Sequence, residues 1–291
     1  MKHIIAFAMI VSAPAAMAQT TSAQAPAGGT AASSSAPTAI VFSEKGANGM
    51  SDLPMGVHRI PDSNVVVSGY QGGGGIGMLF GVVGTLVQSS INAGTGTAKV
   101  RDVEDDLRFD VRAKAIDMVS TAMASDRFKS AFTLTPQPDG STMTITPYVV
   151  LTFVKKTEDL RPYIVLKTKV ATGSDSGKTI KYFCCEGKPL PLATLTENDG
   201  ARLKEMLTAE LDTAVNVMLL DRSQPFPRND EAKIKTNGLL PFIGKPMKWG
   251  GFDLGPYKDY RLVEFRGGIF VFSGVNIVEP DGLEITPVVK K

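Results

Sequence analysis

Histidine is almost missing from this chain: there are two, His3 and His58. A catalytic triad, a zinc site of ordinary type or a haem ligand set leans on that residue. Only His58 lies beyond the first few positions, in "PMGVHRIPD", where flanking prolines mark a surface loop and a polar side chain without special duty. Cysteine is equally scarce, and the two present, Cys184 and Cys185, are neighbours. Adjacent cysteines close only a strained ring. In a strand they point to opposite faces, so unpaired structural thiols are expected rather than a disulfide between chains or a metal pair. Net charge is small, formally +2, and +1 once Lys2 is removed with the leader described below. That balance offers no field for nucleic acid or an anionic lipid surface. No nucleic-acid partner is expected, and no cofactor or metal is assigned. Beyond the leader, no apolar run reaches the length of a spanning helix.

Two glycine patterns imitate nucleotide motifs without their context. Gly72, Gly74 and Gly77 satisfy G-x-G-x-x-G after a strand, but no second parallel strand follows. "GSDSGKT", Gly173 to Thr179, has three residues between its glycines where a P-loop has four, and it joins two strands as a hairpin turn.

The ends carry more information. Lys2, the apolar "IIAFAMIV" of Ile4 to Val11, Pro14 and Ala16-Met17-Ala18 compose a secretory signal, residues 1–18, cleaved before Gln19. No cysteine stands at that point, which excludes a lipid anchor by that route. Residues 19–39, "QTTSAQAPAGGTAASSSAPTA", lack charge and bulk and read as a disordered tether. Export with this tether places the protein in the periplasm.

Residues 40–222 are expected to form an α+β domain. "VVV" at Val65 to Val67 is a strand. A long helix is expected from Ala98, with Val100, Val103, Leu107, Val111, Ala115, Met118 and Ala122 on one stripe. Asp102, Glu104, Asp105 and Asp106 then crowd its start, where the helix dipole favours them. Phe132 to Thr135, Ser141 to Lys155, Tyr163 to Ala171 and Lys178 to Cys185 are strands, the last three an antiparallel meander. Pro147 makes the second of the four an edge strand or bends it. A second long helix begins near Thr196, capped by Thr196 with Asp199, with Leu203, Leu207, Leu211, Ala214 and Met218 inward. Residues 223–291 are expected as a small β-rich unit: mostly loop as far as Tyr260, then a hairpin turning at Gly267-Gly268 and a closing strand in "LEITPVV". The fold expected is therefore an antiparallel sheet with two long amphipathic helices on one face, plus that C-terminal unit.

The segment 69–94 is the candidate contact. Gly73, Gly77, Gly81 and Gly84 recur at helical spacing opposite Met78, Leu79, Val82 and Leu86. Small residues so spaced let two backbones approach closely. Twelve apolar residues are too few to span a bilayer. They can pack internally, self-associate, meet an envelope protein, or lie on a membrane surface.

The order of signal, Gly-rich apolar segment, "KAIDMVSTAMASDRF", strand meander and "PLATLTENDGARLKEMLTAELDTAV" resembles uncharacterised bacterial cell-envelope proteins, many of them lipoproteins. That resemblance implies an envelope location and brings no catalytic residues. The leading expectation is a non-catalytic envelope protein that binds or scaffolds a partner through Gly73 to Leu86. The alternatives are an exported hydrolase using carboxylates such as Asp105 or Glu186, and a peripheral membrane protein that inserts residues 73–87.

Overall fold

A computed structural model describes residues 36–288 except 50–51, 55, 69–97, 137–139, 155–156, 158, 173–176 and 268–270. In chain order the first elements are β1 (Thr38–Phe42), β2 (Val57–Arg59), β3 (Val65–Ser68), a 3-10 turn (Arg101–Val103) and helix α1 (Val111–Met123). The middle of the chain gives β4 (Phe132–Thr133), β5 (Ser141–Phe153), β6 (Leu160–Thr172), β7 (Thr179–Cys185) and helix α2 (Leu192–Ser223). The last quarter gives β8 (Lys233–Gly238), β9 (Met247–Tyr257), β10 (Tyr260–Phe265), β11 (Gly274–Val278) and β12 (Leu283–Pro287).

The meander β5-β6-β7 is antiparallel and central. Alternation along β5 sends Met143, Ile145, Val149, Leu151 and Phe153 to the face covered by the helices. Tyr148 and Val150 go to a second core on the opposite face. There they meet Phe183 and Cys185 of β7, Val263 and Phe265 of β10, and the connecting residues Leu240, Phe242 and Phe272. Cys184 faces the first core, so the neighbouring thiols are separated by the sheet; both are free and buried.

The expected α+β layout does not hold. The described strands form one mixed sheet of 12, in the order β12-β8-β9-β10-β11-β7-β6-β5-β1-β4, with β3 also on β5 and β2 on β3. Four pairings are parallel: β1 with β4, β1 with β5, β3 with β5, and β11 with β7. The β11–β7 pair overturns the idea of a separate C-terminal unit, because it joins β8 to β12 to the central strands. The stretch read as loop contains β9, where the Phe265 ring and Val263 crowd the space over Gly251. Gly268, in the expected turn, lies outside the described residues. Val271 and Phe272 fill the second core, and the return strand starts at Gly274.

Only one described helix is long. The chain from Ala98 breaks after the 3-10 turn, and α1 starts afresh where the Asp110 side chain accepts from the Ala113 N–H at 2.9 Å. Four acids within five residues repel along a helix and compete for backbone donors. α2 is itself interrupted: Glu197 is extended, and Asn198, Asp199 and Gly200 have positive φ. Thr196 does not cap. Its hydroxyl donates back to the Leu192 carbonyl at 3.1 Å. The interruption brings Gly200 (φ +72°) against the Asp106 carbonyl, where a Cβ would stand 2.0 Å away.

Pro147 lies in a central strand, not an edge. Ile145 O accepts from Ser43 N, and Val149 N donates to Asn64 O, so this flank of β5 serves β1 up to Ile145 and β3 from Val149. Pro147 sits between the two, where no donor is needed.

Candidate functional site

The residues singled out in the sequence fare differently. Gly73, Gly77, Met78, Leu79, Gly81, Val82, Gly84 and Leu86 lie outside the described residues. Asp105 is 85% exposed and pairs with Arg108 at 3.0 Å. Glu186 follows β7 and accepts from the Tyr260 hydroxyl at 2.5 Å and from Thr213 Oγ1 at 3.1 Å. Nothing pairs these two carboxylates. His58 lies on β2, not in a loop, with Nε2 2.7 Å from Glu104 Oε1.

The structure assembles a different cluster at the ends of β6 and β7. Register places Lys167 of β6 directly opposite Lys181 of β7, with Thr146 of β5 next in the same row. These side chains continue the face that carries Val165 and Phe183. Like charges directly opposite on a sheet repel. One carboxylate stands against the pair: Asp52 from the β1–β2 connection, 2% exposed, with Oδ2 2.7 Å from Lys167 Nζ. Lys181 is 8% exposed, and its Nζ donates to the Val271 carbonyl at 2.8 Å. Burial and then Lys167 pull its pKa down to about 8, against the pull of Asp52.

The pair opens on a cleft of about 430 Å³. Lys178 and Arg266 contribute further cations to its wall, Glu264 a second carboxylate, and Ile180 with Phe265 apolar surface. Gly274 lets β11 close against β7: its φ is +143°, and a Cβ there would lie 2.2 Å from the Lys181 carbonyl. Glu264 is held inside an ion chain. Arg228 clasps Asp221 through two nitrogens, at 2.9 and 2.7 Å, and reaches Glu264 at 3.0 Å. Arg266 Nε meets the other oxygen of Glu264 at 2.6 Å, and Arg266 also pairs with Asp230. Burial works to raise the Asp221 pKa, but Arg228, the Phe226 N–H and the Tyr182 hydroxyl outweigh it and hold it low. Comparison with protein-family models and with curated proteins finds no match. The cleft is therefore read from its own chemistry. Lys167 and Lys181 border the opening while holding Asp52 and the Val271 carbonyl, and Glu264 is held by Arg228 and Arg266.

A second cluster is closed. Glu210 of α2 is fully buried, and one oxygen accepts from the Glu186 N–H at 3.2 Å. The other has no partner among the described residues. Burial pushes its pKa well above the ordinary carboxylate value, and the Glu186 charge adds to that. Among the described residues no group of three or more His, Cys, Asp or Glu could hold a metal ion. No described helix is long and apolar enough to cross a membrane.

Sequence reasoning missed both clusters, though signals existed. Glu210 falls three residues after Leu207 and seven after Leu203, on the apolar stripe of α2. Lys181 alternates with Phe183 and Cys185 on one strand face. The pairing of Lys181 with Lys167 needs the register.

Proposed function

We propose that the chain is an exported, non-catalytic protein of the cell envelope that binds or scaffolds a partner in the periplasm. The signal and tether support export. One observation supports the glycine segment as a contact. Ser68, which ends β3, and Val100, just past the segment, are both at 0% exposure. Residues 69–97 thus connect two points fixed in the core, and a connection carried on a rigid scaffold is where recognition concentrates. β3 supplies that rigidity through its parallel pairing with the central β5.

The test is fractionation of cells producing a C-terminally tagged chain, followed by an alkaline carbonate wash and cross-linking. Release by osmotic shock, with a cross-linked partner or dimer that Gly77→Leu with Gly81→Leu abolishes, is the expected result. An unchanged cross-linking pattern in a folded double variant refutes the contact. Retention in the washed membrane transfers the segment to membrane insertion, and recovery in the cytoplasm with the N-terminus intact refutes export.

A further inference from the structure

The cleft beside β6 and β7 contains a feature that stability alone does not explain. A sheet under no other demand avoids two lysines in direct register. Here Lys167 and Lys181 face each other on three-strand footing, with Asp52 as their shared counter-ion. Departures from local rules at one place mark sites where something else is accommodated. Lys178 and Arg266 add two positive groups to the same opening. Glu264 and Asp230 already hold Arg266, which leaves Asp52 as the carboxylate of the lining that stands against Lys167, Lys178 and Lys181. The lining therefore carries a surplus of positive charge.

We infer that this cleft binds a phosphate group carried on a small organic body, with Lys167 and Lys181 as its two principal contacts. A phosphate monoester holds close to two negative charges at neutral pH, which suits that surplus. Ammonium groups act on it as point charges without needing a planar acceptor. The cleft, about 430 Å³, lies in the range that encloses small organic ligands rather than a bare ion. Ile180 and Phe265 offer that body an apolar wall. The described lining includes no residue of the glycine segment, and the two assignments are tested separately.

The same chemistry has two sources, a soluble monoester and a phospholipid headgroup. The experiment uses the full mature chain in isothermal titration calorimetry with inorganic phosphate, glycerol phosphate and acetate, and in flotation with vesicles of phosphatidic acid in phosphatidylcholine. Expected are binding of glycerol phosphate tighter than of inorganic phosphate, at least tenfold weaker binding in Lys181→Met and in Lys167→Gln, and no loss in Lys129→Gln, an exposed lysine after α1 that is not among the lining residues. At pH 8 binding takes up protons at Lys181, so the measured heat varies with the ionisation enthalpy of the buffer. Vesicle flotation that depends on Lys167 and Lys181, without glycerol phosphate binding, assigns the headgroup as source. Acetate binding as well as either phosphate overturns the inference, as does absence of all binding. Binding unchanged by Lys167→Gln overturns it even if Lys181→Met fails to fold.

Discussion

Replacing Glu210 by Gln should make the protein less sensitive to pH, in a direction opposite to that of a salt-bridged acid. Glu210 is fully buried on α2, and one of its oxygens has no partner among the described residues. The groups facing it are Glu186 beyond β7, Arg161 of β6 and the backbone N–H groups of Glu186 and Ile164. Burial, the largest influence, drives its pKa above the ordinary 4.5, and the Glu186 charge pushes the same way. The folded protein therefore holds a proton that the unfolded chain releases above about pH 4.5. Between that point and the folded value, folding binds more protons than unfolding, so stability falls as pH rises. Each pH unit inside that window costs at most about 1.4 kcal/mol. From pH 5 upward the wild type should therefore lose stability relative to Glu210→Gln, which keeps the hydrogen bond from the Glu186 N–H and has no charge to bury. Urea unfolding of both proteins at pH 5, 6 and 7 reads the difference directly, since every other titrating group is common to both. Parallel stability curves across that range would refute the reasoning and mean that Glu210 is ionised in the fold.

The other expectations are simpler. Lys181 has a folded pKa near 8 against 10.5 when free, so the unfolded chain binds more protons between those values and wild-type stability rises with pH there. Relative to Lys181→Met that rise is on the order of 3 kcal/mol, and a constant difference between pH 8 and 10.5 in urea titrations would contradict it. Gly200→Ala places a methyl 2.0 Å from the Asp106 carbonyl at a positive φ and should destabilise by more than about 1 kcal/mol; an unchanged Tm by calorimetry would show the close approach to be wrong. Cys184 and Cys185 are buried, and burial raises both thiols, Cys185 to about 12. Ellman's reagent should therefore label neither until the protein unfolds, and rapid labelling of the native chain would place a thiol at the surface.

What the sequence made legible were patterns complete within a short window. The alternation of β5 and the stripe Leu203, Leu207, Leu211, Ala214, Met218 both land in the core as read. The errors came where distant residues decide. Nothing local to "KWGGFDLGPY" reports that Phe265 fills the space over Gly251, so it read as loop. The helix expected from Ala98 followed an apolar stripe that continues across the break, with Val100, Leu107 and Val111 all buried, because an irregular turn can bury the same residues. The cleft was hidden for a related reason. Lys167, Lys181 and Asp52 are each unremarkable alone, and only strand register and a connection more than a hundred residues upstream bring them together.

The placement of Pro147 has a kinetic consequence. β1 and β3 both lie on one flank of β5, and Ile40 finds its partner only at Met143. When synthesis has delivered the first seventy residues, these strands have no sheet to join. β5 must be formed, and with it the meander that braces its other flank, before the start of the chain can fold. At the far end the delay falls on β7, whose outer flank stays open until β11 has been made. Such remote pairings slow folding, because loop closure comes before any contact that compensates for it. The order of the strands thus leaves β1 and the β2–β3 pair without their β5 neighbour until about half of the chain has been made.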